Sequence, residues 1–136
     1  MSDKREFELD ELGGGLLPAI YLRYFHTRDE ARAELTEACI ELPLAEGSPA
    51  QTAFLEAEDG RPAAIVVVEP ERYDAATVGL IAHEATHVVS QYLRWLGETD
   101  PGDEMLAYLI QSVTSYLIEH HTDMYVTNVV GGIGDD

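Results

Sequence analysis

Three side chains in the middle of the sequence have the types and the spacing that bind a metal ion. His83 and His87 lie four positions apart in the stretch HEATH, and Glu84 directly follows the first histidine. On an α-helix, residues i and i+4 share one face with Cβ atoms about 5–6 Å apart, so two neutral imidazoles can reach one Zn²⁺ at roughly 2.0–2.1 Å each. Glu84 projects about 100° further round the helix, where its carboxylate can take a proton from a water that the metal polarises. The pattern predicts metal-assisted hydrolysis with Glu84 as the general base.

A catalytic zinc site needs a third protein ligand and one open position. The candidates downstream of the motif are Glu98, Asp100, Asp103, Glu104, Glu119, His120 and His121. We select Glu104, because Glu104, Tyr108 and Gln111 are spaced i, i+4 and i+7 and form one polar stripe on an otherwise apolar helix. Tyr108 is then placed to donate a hydrogen bond to the developing oxyanion. The alternatives are a solvated helix face for the stripe and a core or interface role for Tyr108.

The motif and the segment after it resemble the gluzincin branch of the zincin metallopeptidases. In that branch a second helix supplies the third ligand from a Glu-x-x-Ala pattern, which matches the start of Glu104-Met105-Leu106-Ala107-Tyr108. The wider span HEATHVVSQYL…LGETDPGDEMLAYLIQ is similar to small, poorly characterised metallopeptidases, many of them encoded by phages. The resemblance implies His83, His87 and Glu104 as zinc ligands and Glu84 as the base. The expected substrate is a peptide or a protein.

The chain is strongly acidic, with 8 Lys+Arg against 26 Asp+Glu and a formal net charge of −18. Such a surface repels phosphate backbones and anionic membranes, so we expect neither nucleic acid nor a membrane as a partner, and a cationic substrate is favoured. The charge also suits a solubility surface. It suits equally a non-enzymatic interaction protein, for instance a DNA mimic or an inhibitor of a nucleic-acid-binding protein. A third alternative is an inactive member of the family that keeps a structural zinc site.

The length of 136 residues indicates one domain. The single cysteine, Cys39, excludes a disulfide within the chain and a cysteine-based zinc site. The N-terminal stretch lacks the pattern of a signal peptide, and no apolar run approaches the roughly 20 residues that span a bilayer. We therefore expect a cytoplasmic protein with a flexible arm at 1–15, a zincin-like domain at 16–122 and a C-terminal tail at 123–136.

The strands that must support the site are indicated by runs of β-forming residues. Residues 19–25 and 51–57 predict two strands, and a helix at 28–35 follows the first of them. The unbroken apolar run from Ile65 to Val68 predicts a strand that is buried on both faces and therefore central.

The motif itself is expected on a long helix. Asp74 is a suitable N-cap for a helix that runs through HEATH to about Trp95, and Gly97 supplies the stop. A second helix is expected to follow directly, with Thr99 or Asp100 as its N-cap. The whole order predicts an α+β fold, in which a small antiparallel or mixed sheet packs against a helical hairpin that carries the HExxH motif.

Overall fold

The computed structural model describes residues 6–7, 18–37, 48–57 and 59–130, and within them it contains four β-strands and three α-helices. The strands are β1 (Glu6–Phe7), β2 (Ile20–Phe25), β3 (Ala50–Glu56) and β4 (Pro62–Val68). The helices are α1 (Arg28–Glu37), α2 (Ala75–Leu96) and α3 (Asp103–Tyr125), and a π-helical turn (Val126–Val130) continues α3. No helix in this described part of the chain is long and apolar enough to cross a membrane.

The strands form one mixed sheet in the order β1-β2-β4-β3. β2 and β4 run parallel, with Tyr21 opposite Ala63, whereas β3 runs antiparallel to β4, with Ala50 opposite Val68. The two-residue strand β1 is antiparallel to β2. This topology makes β4 a central strand and β3 an edge strand. The predicted α+β fold, a small mixed sheet packed against a helical hairpin, is confirmed.

β4 is buried on both faces, as its continuous apolar sequence predicts. Successive side chains of a strand point to opposite faces. Ala64, Val66 and Val68 accordingly pack with apolar side chains of α2 and α3, while Ile65 and Val67 pack with the apolar face of α1. The sheet therefore lies between α1 on one face and the α2–α3 hairpin on the other.

Both ends of α2 are set by local chemistry that the sequence predicts. The side-chain Oδ1 of Asp74 accepts a hydrogen bond from the backbone N–H of Thr77 at 2.9 Å. Hydrogen bonding from Thr77 also lowers the pKa of the Asp74 carboxyl. At the other end, Gly97 has a φ of 82°, the left-handed conformation that glycine adopts without strain. The predicted extent of this helix, from Asp74 to about Trp95, is confirmed.

The start of α3 differs from the prediction. The helix begins at Asp103 with Gly102 as its N-cap, so the expected cap at Thr99 or Asp100 is wrong. The physical reason is the turn between the helices, in which the N–H of Asp100 donates to the carboxylate of Glu98 at 3.1 Å. This turn, together with the φ of 81° at Gly102, delays the helix by two residues beyond Pro101.

The predicted arm and tail of the domain lie partly outside the described residues. Most of the arm expected at 1–15 lies outside the described residues, but Glu6–Phe7 is present as β1. The tail expected at 123–136 overlaps α3, which continues to Tyr125, and residues 131–136 lie outside the described part. The end of α3 packs against the loop before α2, where the rings of Tyr125 and Tyr73 lie 5.9 Å apart between centroids.

Candidate metal centre

α2 holds the two histidines of the motif side by side on an exposed face. The Nε2 atoms of His83 and His87 are 3.2 Å apart, and the ring planes are nearly perpendicular, at 84°. Two ligands of one tetrahedral zinc ion at 2.0–2.1 Å lie about 3.3 Å from each other. The pair therefore has the separation that a single ion requires. The same distance allows one imidazole N–H to donate to the other ring, and a metal ion that bound both rings would take the place of that proton.

Glu84 lies on the neighbouring face of α2 and points towards β3. The residue is only 4% exposed, and its Oε1 accepts a hydrogen bond from the hydroxyl of Thr52 at 2.6 Å. A buried carboxylate is costly without such a partner. Thr52 occupies the same face of β3 as Ala50 and Phe54, both of which pack into the core beneath α2. Glu84 and Thr52 thus form a hydrogen-bonded pair between the apolar contact of α2 with β3 and the cavity.

His83, Glu84 and His87 line one cavity of about 450 Å³. Its remaining walls are formed by Ser48, Pro49, Ala50, Gln51, Thr52, Leu80 and Gln91. The cavity therefore lies where α2 crosses the beginning of the edge strand β3. Of these residues, Gln91 follows His87 by four positions, so helical spacing alone indicates it. Thr52 was missed by the sequence reasoning, because only the packing of β3 against α2 brings it to Glu84.

One wall of the cavity is held in place by a buried arginine. Arg28, which is 6% exposed, contacts the carboxylate of Glu69 at 2.5 Å and donates a second hydrogen bond to the backbone carbonyl of Ser48. The N–H of Glu69 in turn donates to the carbonyl of Pro49 at 2.9 Å. Ser48 and Pro49 line the cavity, so these contacts connect this wall to α1 and to the end of β4.

Glu104 and Tyr108 are exposed on α3, and neither lines this cavity. α3 approaches a different face of α2, where Thr86 and Leu93 share a second cavity with Leu106 of α3. Within residues 6–7, 18–37, 48–57 and 59–130, no group of three or more His, Cys, Asp or Glu side chains is placed to hold a metal ion. The structure therefore does not bring Glu104 to the histidine pair.

The reason lies in the order of the helices across the sheet. α3 lies over β2, where the hydroxyl of Tyr116 donates to the carbonyl of Leu22 at 2.9 Å. α2 lies over β4 and β3, and the cavity is lined by α2 and by the beginning of β3, so α2 separates it from α3. In addition, α2 continues for nine residues after His87, to Leu96, which is about 14 Å of helix. Glu104 lies in the first turn of α3, which follows the C-terminal end of this extension, and is therefore far from His87 along α2.

Another histidine, His121, forms a structural contact away from the cavity. His121 is 1% exposed, and its Nε2 donates to the backbone carbonyl of Arg72 at 2.7 Å. Its Nδ1 then accepts from the hydroxyl of Tyr24 at 2.5 Å, and burial raises the pKa of that tyrosine. These bonds join α3 to β2 and to the loop before α2.

The chain matches no protein-family model, no curated protein and no solved structure. The resemblance to the gluzincins therefore remains an expectation from the HEATH motif and the segment that begins at Glu104, and any function must be argued from the geometry of His83, Glu84 and His87.

Proposed function

We propose that the protein is a metal-dependent hydrolase that cleaves peptide bonds, with His83 and His87 as metal ligands and Glu84 as the general base. The observation that carries the proposal is the 3.2 Å separation of the two Nε2 atoms on the same cavity as a buried carboxylate. Imidazole nitrogens suit Zn²⁺ as ligands. When bound, the ion would supply a polarised water and a polarised scissile carbonyl.

The environment of Glu84 supports its part in this reaction. Its Oε1 is occupied by the hydroxyl of Thr52, which leaves Oε2 as the atom that accepts a proton and passes it to the leaving amine. The predicted roles of Glu104 as a ligand and Tyr108 as an oxyanion donor remain predictions. The proposal rests on His83, His87 and Glu84, and the described residues bring no third protein ligand to the cavity.

The position of the cavity beside an edge strand supports an extended peptide as the substrate. β3 pairs with β4 on one side and has no strand partner on the other side among the described residues. A peptide can add to such an edge through main-chain hydrogen bonds. The net charge of −18 favours a cationic peptide. A cytoplasmic location belongs to the same proposal.

The first experiment measures zinc in the purified chain by elemental analysis after equilibrium dialysis. Wild type is expected to hold one equivalent, and His83→Ala and His87→Ala are expected to lose it. Glu84→Gln should keep the metal but lose hydrolysis of an internally quenched peptide library. A wild-type chain without stoichiometric metal, or a His83→Ala chain that retains it, contradicts the proposal.

The net charge of −18 favours a second candidate, an acidic interaction protein that binds a basic partner without catalysis. Salt-sensitive capture of a basic nucleic-acid-binding protein that persists unchanged in Glu84→Gln would favour this candidate. An inactive, zinc-binding protein gives a third pattern: chelation lowers the melting temperature, but no peptide of the library is cleaved.

A further inference from the structure

The carboxylate of Glu84 belongs to a residue type that can act towards a metal ion in two ways, as a base for a bound water or as a ligand. Carboxylate oxygens bind zinc at about 2.0–2.2 Å, and Glu84 adjoins His83 in the chain and lines the same cavity. Nevertheless, Glu84 does not form a three-residue metal group with His83 and His87 in the described part of the chain. Its carboxylate is turned towards β3 instead.

The hydroxyl of Thr52 accounts for this orientation. It donates to Oε1 of Glu84 at 2.6 Å, and it lies 3.4 Å from the backbone carbonyl of the same residue. Thr52 sits opposite the fully buried Val66 in the antiparallel β3–β4 ladder. Since a β-branched side chain has few rotamers, the sheet holds the hydroxyl in a fixed position.

We propose that Thr52 is a positioning residue that keeps Glu84 as a proton acceptor and prevents it from becoming a metal ligand. This inference rests on the proposed function, because it concerns the same cavity. If the hydroxyl is removed, the buried carboxylate loses its donor, and a divalent cation on the two histidines becomes its strongest available partner. Glu84 would then be free to turn towards such a cation and could bind it as a ligand.

The experiment compares Thr52→Val, which replaces the hydroxyl with a methyl group of similar size, with Thr52→Ser, which keeps the hydroxyl. Zinc affinity is measured by competition with a chromophoric chelator, and the coordination of Co²⁺ is followed by its visible absorption spectrum. Thr52→Val is expected to bind zinc about tenfold more tightly, the equivalent of one hydrogen bond to a charged group, and to change the cobalt spectrum. Thr52→Ser should match wild type in both measurements.

The double variant Thr52→Val/Glu84→Gln identifies the group responsible. It should lose the gain in affinity and the spectral change, because the amide is a poor ligand for the ion. Circular dichroism checks that each variant is folded, and Thr52→Ala, which removes the hydroxyl without adding a methyl group, should reproduce the gain if Thr52→Val fails to fold.

The outcomes separate this inference from the proposed function. Zinc affinity in Thr52→Val that is unchanged or weaker, or a gain that persists in the double variant, overturns the role of Thr52 while the metal site stands. A wild-type chain that binds no zinc overturns both proposals.

Discussion

Zinc should stabilise the fold through His83 and His87. A ligand that binds only the folded chain raises the free energy of unfolding by RT ln(1 + [L]/Kd), which is about 2.7 kcal/mol at a free concentration 100 times Kd. Only the folded helix holds the two Nε2 atoms 3.2 Å apart. For a chain of 136 residues, each kcal/mol moves the melting temperature by about 3–5 °C. Near-saturating zinc should therefore raise the melting temperature by about 8–13 °C.

Thermal unfolding followed by circular dichroism, with and without zinc, tests this increment. Both histidines are exposed, so His83→Ala and His87→Ala should leave the core intact and abolish the increment. His120→Ala serves as the matched control, because it removes a histidine that does not line the cavity. Protons compete with the metal for the imidazole nitrogens, so the increment should shrink as the solution is acidified. An equal increment in wild type and His83→Ala would refute the reasoning.

Three further predictions concern the scaffold. Asp74→Ala should lower the melting temperature near neutral pH, because the hydrogen bond from Thr77 is lost. Hydrogen bonding from Thr77 lowers the pKa of the Asp74 carboxyl, so its contribution to stability is present above the unfolded-state pKa and is lost as the pH falls through the folded-state pKa. Thermal unfolding near pH 2 should therefore give similar melting temperatures for wild type and Asp74→Ala. His121→Ala should lower the free energy of unfolding in urea by about 3–4 kcal/mol, because it removes a buried ring and leaves its two hydrogen-bond partners unpaired. Tyr24→Phe, which removes one hydroxyl, should lower it by about 1 kcal/mol. Val66→Ala should cost about 2–3 kcal/mol by the same measurement, because the side chain is fully buried in the central strand.

The parts of the fold that depend on local chemistry could be predicted from the sequence. The carboxylate of Asp74 and the left-handed glycine at 97 set the ends of α2 within a few residues of themselves. The apolar run Ile65–Val68 could be assigned to a central strand because both faces of such a strand must be apolar. The close approach of His83 and His87 was also predictable, because it requires only one continuous helix.

The contacts made between elements could not be predicted in this way. No spacing in the sequence relates Thr52 to Glu84, which are 32 positions apart. Their contact depends on which strand forms the edge of the sheet and on where α2 crosses it. A threonine in a strand has a strong β propensity whatever it contacts, so its type carried no signal for this role.

The same distinction explains why Glu104 was selected from the sequence and yet lies apart from the histidines. The polar spacing of Glu104, Tyr108 and Gln111 is a property of α3 alone, and all three residues are exposed in the structure, as a solvated helix face requires. Whether such a face meets HEATH depends on the turn between the helices and on the side of α2 against which α3 packs. α3 packs on the side that carries Thr86 and Leu93, whereas the histidines line the cavity beside β3. A metal ion on His83 and His87 would thus lie between α2 and the edge strand β3. The residue that contacts Glu84 there is Thr52 of β3, and not a residue of α3.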